Sequence, residues 1–275
     1  MPSTLTKVLV VGAAGAAAWL IFSPSAIAGT VPGSNTPRMT GTQFLNSIQN
    51  LEGTARENAI LAAALAGQTP RLFQSWAPIS VSSPGHSGTV YVAPDYFGIG
   101  TDQDWIRTPM FPATAQRIAD ARGAVLPTKK ISDLIYAQAP IKIGFTAFDP
   151  AVAGVARGSS VLYGRSNAAI LNRQAGRAGL SSGGKKDIVI GALLGRSPGK
   201  VIIYGGRYTD GSPVQPYSNI HSASYVDYSH GVRLVKDTMT VDGRQMRVAD
   251  VLRNPTLASL ISDEGVVAAN GLRYA

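Results

Sequence analysis

Residues 187–204 read Asp187-Ile-Val-Ile190-Gly-Ala-Leu-Leu-Gly-Arg-Ser197-Pro-Gly199-Lys200-Val-Ile-Ile-Tyr204, and the character of the chain changes here. The runs 187–190 and 200–204 are short, apolar and rich in β-branched residues, and a loop holding Ser197-Pro198-Gly199 joins them. Short runs bounded by turn residues predict strands, because helices need longer periodic segments. Upstream, the apolar residues recur at helical spacing. Residues 42–51 place Phe44, Leu45 and Ile48 on one face, and 54–66 do the same with Ile60, Leu61 and Leu65 before Gly67 and Pro70 stop the helix. Pro112 opens a helix over 113–122 that Gly123 ends, Thr128 caps another running to Ala139, and a further helix fits 160–175.

One hairpin interrupts this helical part. Residues 76–82 and 89–93 alternate apolar and polar around Ser83-Pro-Gly-His86-Ser-Gly88, which puts His86 at a tip. Downstream, 218–235 is strand-like over much of its length. Residues 238–248 form a hairpin turning at Asp242-Gly243, and short helices are expected near 248–253 and 257–261. The pattern predicts an α+β fold, with a helix-rich N-terminal part packed on a mainly antiparallel sheet from the C-terminal part.

The first residues have the form of an export signal. Lys7 supplies a positive charge, Val8 to Phe22 is apolar, and Ser23-Pro-Ser-Ala-Ile-Ala28 ends in a small-x-small pattern before Gly29. The apolar run is shorter than the about 20 residues that span a bilayer, so cleavage after Ala28 is favoured over a retained anchor. The expected organisation is a signal at 1–28, a Pro- and Gly-rich linker at 29–39, and a single domain at 40–275. Export without any cysteine fits a bacterial envelope or a virion, and it excludes thiol catalysis and thiolate metal sites. Lys7 is the only ionisable side chain of 1–28, so 24 Lys and Arg against 16 Asp and Glu leave the processed chain at +8. That charge suits an anionic cell-envelope polymer or a membrane surface. The basic residues form small scattered groups with no stripe, so nucleic acid is disfavoured as a partner.

Two of the three histidines fall in one segment, His221-Ser-Ala-Ser-Tyr225-Val-Asp227-Tyr228-Ser-His230-Gly-Val-Arg233. Imidazole beside a carboxylate is a common nucleus of hydrolytic chemistry near neutral pH. In one reading His221, Asp227 and His230, joined by His86, ligate a divalent metal such as zinc. Along a straight strand His221 and Asp227 would stand about 20 Å apart and His230 would face the other way, so that reading requires a bend. In the other, Asp227 orients His230 or His221 for proton transfer and Arg233 stabilises an anion. Lys185, Lys186, Tyr225 and Tyr228 are the expected substrate-binding residues around a cleft where the histidine segment meets the Lys185 loop. Ser182-Gly-Gly-Lys185 matches the Ser-x-x-Lys pattern of penicillin-binding proteins, but its two glycines disfavour the helical turn that pattern needs. The acidic spacing in Pro94 to Trp105 lacks the remaining ligands of a calcium loop.

Three stretches together resemble a group of exported bacterial proteins of unassigned activity: Ala115-Gln-Arg-Ile-Ala-Asp120 with Leu126-Pro-Thr-Lys129 and Asp133-Leu-Ile-Tyr136, then Lys185-Lys-Asp187, then Tyr225 to Arg233. The resemblance extends from about Phe44 to Gly265 and implies a shared domain with the histidine segment central. The expected function is a cell-envelope hydrolase acting on peptidoglycan peptide or amide bonds. The alternative is a noncatalytic envelope or virion protein that binds an anionic polymer or another subunit.

Overall fold

Thr40 closes a capping box with Gln43, each side chain accepting the other's backbone amide, and the first helix therefore starts at Gly41 and runs to Ile48. The computed structural model describes residues 38–275, which form one compact unit. The expected signal and nearly all of the expected linker lie outside the described residues. A second helix, Gly53–Leu65, buries Ile60, Leu61 and Ala64 together with Arg56 and Glu57. Pro112–Ala121 begins with its proline, and Lys129–Gln138 follows Thr128, whose hydroxyl accepts the Ile131 amide at 3.1 Å. Ser160–Gln174 is the longest of the described helices and is capped by Ser159. No described helix is long and apolar enough to cross a membrane.

These helices pack around two main sheets, giving the α+β architecture. The larger sheet is antiparallel in every pairing and runs Arg244–Arg247, Thr238–Val241, His86–Val92, Val235–Lys236, Ala124–Val125, with Ala77–Ser83 also pairing His86–Val92. Residues from the early hairpin are thus interleaved with residues from the end of the chain. Ala77, Ile79 and Val81 point into the core while Pro78, Ser80 and Ser82 face out, as period-two alternation requires. Asp242 and Gly243 both have positive φ, 48° and 79°, which suits the twist of a two-residue hairpin turn.

The smaller sheet orders Pro213–Ser218, Ile203–Arg207, Lys186–Ile188 and His230–Gly231. Its last pairing is parallel, with His230 opposite Lys186 and Gly231 opposite Asp187. Between the two runs of 187–204 a short helix, Ala192–Gly195, is held by Glu264, whose carboxylate accepts the Ala192 and Leu193 amides at 3.0 and 2.9 Å.

The expected strand over 218–235 is largely replaced by a loop. Tyr225 N–H bonds to Ser222 O at 3.0 Å, and Asp227 accepts Ser229 N–H on its side chain at 2.7 Å and His230 N–H on its carbonyl at 3.2 Å. Such local bonds satisfy the backbone without a ladder and turn the chain back on itself.

Candidate functional site

That looped segment brings together side chains an extended strand would have spread out. The His221 ring stacks on Tyr225 with centroids 4.0 Å apart and planes at 14°, and Tyr225 meets the edge of His230 at 5.6 Å and 67°. Tyr225 donates its hydroxyl to Asp227 Oδ2 at 2.9 Å, and the Ser229 amide and hydroxyl both donate to Oδ1. Burial works against the Asp227 charge. His230 and the hydrogen bonds from Ser229 and Tyr225 outweigh it and keep the carboxyl below the ordinary range. His230 is 1 % exposed, and neither ring nitrogen has a hydrogen-bond partner. Its pKa is pushed down to about 4, chiefly by burial and against the pull of Asp227, so the ring is neutral at pH 7.

Beside this cluster lies a cavity of about 290 Å³, lined by Arg56, Ser159, Ser160, Ser224 and Tyr225 among others. Glu57 and Tyr163 lie behind that wall. Arg56 Nε stands 4.0 Å from Glu57 Oε1, too far for a hydrogen bond, and its guanidinium lies over the Tyr163 ring at 5.5 Å. Arg56 Nε, Glu57 Oε1, Tyr163 OH and both His230 nitrogens are five of the nine buried side-chain atoms without a partner among the described residues. An unpaired buried polar atom costs about 1–3 kcal/mol, so these five are a costly group; of their residues only Arg56 is on the cavity lining, and neither Asp227 nor His230 reaches it. Burial raises the Glu57 carboxyl against the opposing effects of Thr114, the Phe111 amide and Arg56. It also raises Tyr163, whose nearby charges include Arg56, Glu57 and Asp227.

The other expected site residues are placed differently. Lys185 is fully buried and does not line the cavity; its ammonium donates to Ser166 Oγ at 3.0 Å and Tyr228 O at 2.5 Å. With no carboxylate bonded to it, burial lowers its pKa to about 7. Ser182 lies in a strand and Lys185 reaches Ser166 instead, so the Ser-x-x-Lys arrangement is not made. Lys186 reaches toward the Phe145 ring. Tyr228 bonds the Phe148 amide at 2.7 Å and packs on Phe145 and Phe148, away from the cavity lining. Arg233, 1 % exposed, donates to Ala93 O and Ser181 O at 2.9 and 2.7 Å and lies over Tyr96, so it braces the fold and is not free to meet a substrate anion.

His86 does not join the other histidines. Its Nδ1 pairs with Asp242 at 2.6 Å, and six residue steps, about 20 Å, separate it from the Val92 end of its strand near Arg233. Among the described residues no group of three or more His, Asp or Glu side chains could hold a metal ion, so the expected set of His221, Asp227, His230 and His86 does not assemble.

Arg56, Glu57 and Tyr163 were not singled out from sequence, although a signal was present. Arg56 and Glu57 precede Ile60 by four and three residues, and Tyr163 precedes Ile170 by seven, so all three share their helices' buried faces. No protein-family model, curated protein or solved structure matches the chain.

Proposed function

We propose that the protein is an exported hydrolase of the cell envelope, cleaving peptide or amide bonds of peptidoglycan at the cavity beside Tyr225. The observation that supports this reading is the set of unpaired buried groups on Arg56, which lines the cavity, and one residue behind the lining: Glu57 and Tyr163 beside Arg56, and His230 beside Tyr225. A neutral His230 accepts a proton from water, and the Asp227 charge favours the imidazolium that forms. The imidazolium so formed returns its proton to the leaving amine. The excess of basic residues favours an acidic polymer as substrate.

The test is incubation of the protein with purified peptidoglycan, following soluble fragments and new amino groups. Release is expected from the wild type, reduced by about 10²–10⁴-fold in His230→Gln and unchanged by chelator. Release that stops with chelator would replace this mechanism with a metal-dependent one. Binding to the cell wall without any release would favour the noncatalytic polymer-binding reading.

A further inference from the structure

We infer that the cavity beside Arg56 holds the free carboxylate of a peptide substrate, so that cleavage is directed to a chain end. This inference rests on the hydrolase reading for its purpose and on separate observations for its geometry. Arg56 lines the cavity, is only 8 % exposed, and bonds Gly158 O through Nη1 at 2.6 Å while Nε has no acceptor. A guanidinium removed from water with a donor unused is matched by a planar oxyanion that can take two parallel hydrogen bonds.

Two helix starts open on the same space. Glu52 and Gly53, at the start of Gly53–Leu65, line the cavity, and no side chain caps that helix, which leaves its first amides without a side-chain acceptor. Ser159 and Ser160, at the start of Ser160–Gln174, line it from the other side. Both termini carry partial positive charge, and the hydroxyls of Ser159, Ser160 and Ser224 add further donors. Arg157 is exposed between the cavity-lining Ala156 and Gly158 and adds positive charge at the entrance.

Glu52 is the one carboxylate on the lining. Its charge repels a doubly charged phosphate more than a single carboxylate, and this selects the peptide terminus over a phosphate ester. The three serines suit an amide-bearing ligand, whose carbonyl they can bond.

The probes are N-acetyl-alanyl-alanine and its C-terminal amide, each in L,L and D,D forms, titrated calorimetrically into the full chain. One acid form is expected to bind, with its amide at least about tenfold weaker. Arg56→Gln should abolish the difference between acid and amide. Glu52→Gln, a surface change that leaves packing intact, should tighten the acid a few-fold and leave the amide unchanged. Equal affinity for acid and amide, or no binding of either in the millimolar range, overturns the inference. Carboxylate-selective binding without bond cleavage would keep this site and defeat the hydrolase reading. Cell-wall cleavage indifferent to the terminal carboxylate would do the reverse.

Discussion

Asp95–Arg107 and Arg56–Glu57 are both carboxylate–guanidinium neighbours shut away from solvent, with side-chain exposures of 3 % and 1 % in the first and 9 % and 6 % in the second. Arg107 donates to Asp95 twice, at 2.8 and 2.6 Å, and also to Asn167 and Gln174, each at 2.9 Å, while Ser181 donates to the same carboxylate at 2.8 Å. Burial pushes Asp95 up, but Arg107, Arg233 and Ser181 together hold it below the ordinary carboxylate range. In the second pair the closest approach is 4.0 Å, atoms on both partners stay unpaired, and burial wins, so Glu57 is raised. The same two functional groups therefore serve opposite purposes. Where every guanidinium nitrogen finds an acceptor the pair fixes the fold, and where bonds are withheld the pair is the one our proposal assigns to a ligand.

The contrast can be broken most directly at Arg107. Arg107→Met leaves the Asp95 carboxylate buried without its partner and should cost about 3–5 kcal/mol in denaturant unfolding. Arg56→Met should cost clearly less, because a weaker pair is lost. Equal losses would end the distinction.

A smaller effect concerns pH. His230 has an ordinary value of 6.5 and a folded value of about 4, so between these the unfolded chain binds more protons than the folded one. Stability should fall as the pH drops from about 6.5 through 4, by about 3 kcal/mol in total. Urea midpoints at pH 7 and pH 4 should show that drop in the wild type, and His230→Gln should lack this portion of it. An identical drop in both would mean that the ring is not held neutral by burial.

The smallest effect has the opposite sign. Tyr163→Phe removes a buried hydroxyl with no partner and should stabilise the protein by about 1 kcal/mol. A loss of stability on thermal melting would show the hydroxyl to be satisfied, and the surroundings of Arg56 would then resemble the Asp95 network.

Much of the fold was legible because local chemistry decides it. The Thr128 cap, the Pro112 start and the Asp242-Gly243 turn are single-residue signals, and each stands where the sequence puts it. The alternation that predicts an extended 218–235 competes with side-chain and turn bonds around Asp227, and the local bonds prevail. That outcome favours the histidine segment, since the bend stacks His221 on Tyr225 and sets Tyr225 against His230. It gives no help with His86, which hairpin pairing carries to Asp242. Lys185 and Arg233 read as cations facing a substrate cleft, yet main-chain carbonyls from distant residues draw both inward. Partners of that kind follow from tertiary closure and leave no periodic trace. Arg56 and Glu57 were missed for a related reason: charges at the start of a helix usually face water, and these turn in toward Gly158 and Phe111.

The parallel pairing of His230 with Lys186 has a kinetic side. Local bonds to Asp227 turn the chain into that short strand, but its partner strand is far off in sequence, just as Arg56 is fastened to Gly158 across 102 positions. Closing loops of this length is slow compared with forming capped helices and tight hairpins. The newly made chain therefore passes through a stage with its scaffold built and its reactive groups still apart, which delays any activity until the last long-range contacts have closed.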